Sequence, residues 1–121
     1  IMKENVVQSK SYQFALRIVK LYLYLKQEKN EYVLSKQVLR CGTSIGANVE
    51  EAIGGYSDRD FLARITIAYK ECRETNYWIR LLCDSGFISG NEKISLMTDC
   101  DELLKIIGSI QKSMKKRLTG D

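Results

Sequence analysis

Neither proline nor histidine occurs among the 121 residues of this chain. Proline breaks helix interiors and punctuates strand-and-turn architectures, so its absence favours long helices joined by glycine-containing turns. The lack of histidine removes the usual general base, the side chain that titrates near neutral pH and the commonest metal ligand. No apolar run approaches the roughly 20 residues needed to span a bilayer. The sequence does not open on a charged segment followed by a continuous apolar stretch, as a secretory signal would, and the expected compartment is the cytoplasm. Cysteine is scattered. Cys41, Cys72, Cys83 and Cys100 lack the close spacing of a zinc or thioredoxin-type motif, and each falls in a segment that reads as helix. Buried free thiols are expected.

What is present is an ordinary globular composition, 45% apolar and 28% charged. The length suits one domain able to hold a core without a metal or disulfide staple. A net charge of +4, from 19 basic and 15 acidic residues, is compatible with nucleic acid or an acidic partner and demands neither.

Four helical segments emerge. The first is expected over about 11–27, with Phe14, Ile18, Leu21 and Leu25 at helical spacing. The second runs from about Tyr32 to Ile53, with Leu34, Val38, Cys41, Ile45, Val49 and Ala52 on one stripe. Gly42, Ser44, Gly46 and Ala47 make its middle slim, which allows a close neighbour or marks a bend near Gly42. Gly54-Gly55 suits its C-terminal turn. Ser57 followed by Asp60 reads as the capped start of the third helix. There Phe61, Ile65, Ala68, Cys72, Thr75, Ile79 and Leu82 alternate four and three apart, the seam of helices packed at a shallow angle. The fourth helix, about 91–118, repeats that spacing with Leu96, Cys100, Leu103, Ile107, Ile110 and Met114. The expected architecture is all-α, an antiparallel up-down-up-down four-helix bundle. Tyr22, Leu23 and Tyr24 on the first helix, and Leu62, Tyr69, Tyr77, Trp78 and Leu81 on the third, lie off the main stripes. This surplus suits either a wide core face or an oligomer interface, and self-association is the expectation.

Catalysis finds little support. Glu50, Glu51, Glu71 and Glu74 are the candidate carboxylates, but a di-metal bundle site needs Glu-x-x-His pairs that a histidine-free chain cannot supply. Structural pairing with Arg40, Arg73 or Asn48 is expected instead, with no metal and no cofactor. No motif activates a cysteine, and Thr43 to Asn48 has neither the spacing nor the lysine of a phosphate loop. The remaining signal is basic. Lys112, Lys115, Lys116 and Arg117 cluster late in the fourth helix, Lys36 and Arg40 lie one turn apart on the second, and Arg17 and Lys20 are neighbours on the first. These are the candidate nucleic-acid contacts. In a ring of subunits each patch would be repeated and its field multiplied.

The residues Ser44-Ile45, Asn48-Val49 and Glu51, then Ser57, Phe61, Ile67-Ala68, Glu74 and Tyr77-Trp78, carry a family resemblance. The chain resembles the proteins encoded in intervening sequences of bacterial 23S ribosomal RNA genes, also called the S23 ribosomal protein family. The accessory protein of diversity-generating retroelements is a relative. Ala52 stands where the family commonly has glycine, which places the helix-ending turn slightly later, at Gly54-Gly55. The resemblance implies an antiparallel bundle assembling into a pentameric barrel, with no catalytic activity. From the retroelement relative it implies nucleic acid and a reverse transcriptase as partners. It assigns no binding residues. A protein-interaction scaffold that never touches nucleic acid stays open as the alternative.

Overall fold

The computed structural model describes residues 5–120. They form four α-helices and no strand: α1 (Val6–Glu28), α2 (Leu34–Ile53), α3 (Asp58–Asp84) and α4 (Gly90–Thr119). Neighbours run antiparallel in the order α1-α2-α3-α4. α2 packs closely on both α1 and α3, and α4 packs on α3 and more loosely on α1. The backbones of the diagonal pairs, α1 with α3 and α2 with α4, do not approach closely.

The helix starts follow local chemistry. Asn5 accepts a hydrogen bond from the Gln8 amide, Ser57 from that of Asp60, and Ser89 from that of Glu92. Each satisfies an amide that the first turn leaves without an intrahelical partner. α2 differs, because Val33 in the cap position offers no side-chain acceptor. Glu31 takes that role from outside the helix, accepting from the amides of Ser35 at 2.7 Å and Val33 at 3.2 Å. Burial pushes the Glu31 carboxyl up, but the amides of Ser35, Leu34 and Val33 outweigh it and hold the group below its ordinary value. This support for α2 is complete above the ordinary carboxylate range and is lost as pH falls through the lowered value.

Two boundaries depart from the sequence expectation. α1 begins five residues earlier than Ser11, because Asn5 caps it and Val7 continues the buried stripe. α2 begins at Leu34 instead of Tyr32, because Asn30 takes a left-handed conformation with φ of 53° and Glu31 caps from outside.

The core is one continuous cluster drawn from all four helices. Ile18, Val38, Ile45, Val49, Ile65, Ile79, Leu82, Leu96, Leu103 and Ile107 are fully enclosed. The seams are therefore placed as their spacing requires, except at the extremities. Leu34, Phe61, Ile110 and Met114 are only half-buried. Ile88 joins the core from the α3–α4 connection. Of the thiols, Cys41, Cys72 and Cys100 are buried and Cys83 is half-buried, all unbridged. The Cys72 and Cys100 sulfurs face each other across α3 and α4 at 3.8 Å.

The slim face of α2 packs tightly. A β-carbon added at Gly42 would fall 2.7 Å from Ile18 Cγ1, and one at Gly46 would fall 3.3 Å from the Ser11 carbonyl oxygen. Gly42→Ala should therefore lower stability by about 1–2 kcal/mol. Overpacking costs roughly 1–3 kcal/mol, less about 1 kcal/mol regained in helix propensity. Gly90→Ala, whose methyl meets nothing within 4 Å, is the control and should not lose stability. Urea midpoints measure both, and an unchanged midpoint for Gly42→Ala would contradict the close approach.

Burial raises the Cys41 thiol to about 11, the Thr75 hydroxyl offsetting this only in part. An unfolded thiol titrates near 9.0, so folding strength tied to Cys41 is intact below that value and declines from about pH 9 to 11. The alkaline loss of stability should be shallower in Cys41→Ala than in the parent chain, and parallel pH profiles would refute the assignment.

Candidate nucleic-acid interface

The candidate cations divide into two chemical states. Each of the arginines is held by carboxylates. Arg17 Nη1 donates to Asp99 at 2.8 Å and to the Ser95 carbonyl at 3.2 Å, while Nη2 donates to Ser95 Oγ at 2.9 Å and to Glu92 at 3.3 Å. This fork ties α1 to α4, where the helices otherwise meet least. Arg40 bridges α2 to α3 through Glu71 and Glu74, and the Trp78 indole also donates to Glu74, at 2.9 Å. Arg117 pairs with Asp58 at 3.1 Å, joining the end of α4 to the start of α3.

The lysines are different. Lys20, Lys36, Lys112, Lys115 and Lys116 are exposed and form no ion pair with the described residues. Lys105 belongs with them. It is exposed, lies seven residues before Lys112 and so shares its side of α4. Sequence reading passed over it because it stands alone, although its spacing could have found it.

The fold does not gather these groups into one surface. Antiparallel α4 carries Lys112, Lys115 and Lys116 to the end where α3 begins, as the Arg117–Asp58 pair requires. Lys20 and Lys36 belong to the opposite half, beside the α1–α2 connection. α4 is about 45 Å long at 1.5 Å per residue, so the two groups are well separated. Arg17 and Lys20 do converge. They line a cavity with Leu21, Tyr24, Ile88, Ser89 and Glu92.

Of the candidate carboxylates, Glu50, Glu71 and Glu74 are engaged as bundle ties, while Glu51 is exposed. Glu71 and Glu74 bind Arg40, and Glu50 accepts from Gln8 at 2.9 Å. Asn48 instead donates to the Ser44 carbonyl of its own helix. Among the described residues, no three histidine, cysteine, aspartate or glutamate side chains gather closely enough to hold a metal ion. No helix is long and apolar enough among them to cross a membrane.

These features define an antiparallel four-helix bundle closed by arginine–carboxylate ties, with unpaired lysines on separate faces. The chain belongs to the family of 23S rRNA-intervening sequence proteins, whose family model matches residues 3–109. The match ends within α4, just ahead of Lys112. A crystal structure of a protein of unknown function from the S23 ribosomal protein family of Bacteroides thetaiotaomicron is 48% identical and superposes with a TM-score of 0.89. The alignment covers 92% of this chain and 99% of that one. No functionally curated protein matches the chain.

The two cation states should separate on melting. Arg17→Ala should lower stability by about 1 kcal/mol, at the upper end for a partly exposed ion pair because it also removes hydrogen bonds to Ser95. Lys20→Ala, one turn away, should melt as the parent does. Equal losses, or none in either variant, would remove the distinction.

Proposed function

We propose that this protein is a non-enzymatic, self-associating bundle of the cytoplasm that binds RNA through its lysine faces. The observation that carries the reading is the partition of the candidate cations: Arg17, Arg40 and Arg117 are paired with carboxylates of other helices, while Lys20, Lys36, Lys105, Lys112, Lys115 and Lys116 are left to solvent. An exposed lysine without a carboxylate partner is a point charge available to phosphate, and such contacts position nucleic acid without reading its sequence. Membership of a family named for an intervening sequence of 23S rRNA lends support in kind.

Self-association is supported by apolar surface that one copy leaves uncovered. Tyr12, Leu16, Val19 and Leu23 follow four-three-four spacing on the side of α1 away from its buried stripe, and all are exposed. On α3, Ile67 and Tyr77 are exposed and Leu81 is half-buried. α1 and α3 occupy diagonal corners of the bundle. Joining the α1 stripe of one copy to the α3 face of the next would be a head-to-tail contact, the kind that forms a ring when its rotation closes. The family resemblance sets the expected number at five. Each lysine face would then recur around the ring.

Gel-shift titration against structured RNA tests the first part. Affinity should fall steeply with salt. Replacing Lys112, Lys115 and Lys116 together by alanine should reduce the slope of log affinity against log salt by roughly 2, if each removes one phosphate contact. Absence of binding at low ionic strength would reject RNA as the ligand. Sedimentation tests the second part: the parent chain should sediment as an oligomer and Leu16→Glu with Val19→Glu as a folded monomer. A monomeric parent at micromolar concentration would reject self-association.

A further inference from the structure

The cavity between α1 and the α3–α4 connection has a volume of about 530 Å³, within the 300–1,000 Å³ typical of small-ligand sites. Its floor is apolar, since Leu21 and Ile88 are 6% and 7% exposed. Its rim carries Lys20 and Tyr24, one helical turn apart, with Tyr24 42% exposed. Lys29, outside the lining, holds its ammonium over the Tyr24 ring, 6.0 Å from the centroid. Arg17 is not the free cation here, because Asp99 and Glu92 take its charge. The N-terminus of α4 is not the anion site either, because Ser89 caps it. Glu92 lines the cavity and accepts from Arg17 through Oε1.

We infer that this cavity binds one nucleoside monophosphate unit, free or within a single strand, and prefers bases that bear an exocyclic amino group. The inference rests on the RNA reading above and names a site within it. Lys20 takes the phosphate. The base lies against Tyr24 and the Leu21–Ile88 floor, an arrangement that every base can use because each has a π face. The Glu92 carboxylate accepts from the amino group of adenine or cytosine, a donor that uracil lacks at the equivalent position. Arg17 holds that carboxylate in place, as a positioning residue.

Calorimetric titration of the full chain with AMP, CMP, UMP and inorganic phosphate tests this, with adenine and uracil tetraribonucleotides as competitors. AMP and CMP should bind saturably and about tenfold more tightly than UMP, with phosphate alone weaker still. Tyr24→Ala should weaken AMP about tenfold, Lys20→Ala should weaken AMP and UMP alike, and Glu92→Gln should abolish the preference over UMP while AMP still binds. Competition by the tetranucleotides places the site on RNA, and binding of mononucleotides without it assigns the site to free nucleotides. Phosphate binding as tightly as AMP, or AMP affinity indifferent to Lys20 and Tyr24, overturns the inference. RNA binding lost on alanine replacement of Lys112, Lys115 and Lys116 but unchanged in Lys20→Ala and Tyr24→Ala overturns the cavity site and leaves the RNA reading standing. Loss of all RNA binding by the parent chain with AMP binding retained does the reverse.

Discussion

Ile18 fills the notch that Gly42 leaves in α2, and much of the bundle depends on that fit. α2 is the one helix packed closely against α1 as well as α3. With a side chain at position 42, α1 would stand off, and the chain of contacts that aligns α1 with the rest would loosen. The approach continues at Gly46, against the Ser11 backbone, where no flexible side chain can give way. Because α1 is seated by α2, Arg17 falls within reach of Asp99, Ser95 and Glu92 on α4. The looser α1–α4 contact is thus also closed by charge and hydrogen bonding.

The same division runs through the molecule. Arg17, Arg40 and Arg117 each join two helices, and a planar fork with several donors suits that work. Lysine, a strongly hydrated point charge on a flexible stem, mostly remains on the surface, although Lys10 also crosses from α1 to Glu102 on α4. Basic residues that look alike in sequence therefore do different work: Arg17, Arg40 and Arg117 hold helices together, while Lys20, Lys36, Lys112, Lys115 and Lys116 stay in solvent. Trp78 strengthens the α2–α3 tie by donating to Glu74, so an aromatic that widens α3's apolar face also fixes a carboxylate.

Much of this was legible beforehand. Heptad spacing placed Ile65, Ala68, Cys72, Thr75, Ile79 and Leu82 in the core, because a regular helix repeats its buried side whatever its neighbours are. Ser57 marked the start of α3 because a hydroxyl cap is a local interaction. The same spacing overreached at Phe61, Ile110 and Met114, which lie where a helix end outruns its partners. It overlooked Ile88, whose burial comes from the path of a connection. The start of α2 was misplaced because Glu31 caps it from beyond the helix, a contact that periodicity does not encode.

Four helices, their buried stripes, the slim face of α2 and a surplus of apolar and basic residues follow from spacing along one chain. Which cations are spent depends on the packed bundle. Arg17 meets its partners 75 to 82 residues away, and such pairing depends on helix order, direction and register together. The packing also decided that Lys20 and Lys112 stand in opposite halves, and that Lys20, Tyr24 and Glu92 line one cavity. A linear pattern records which side of a helix a residue occupies. Packing alone sets what that side faces.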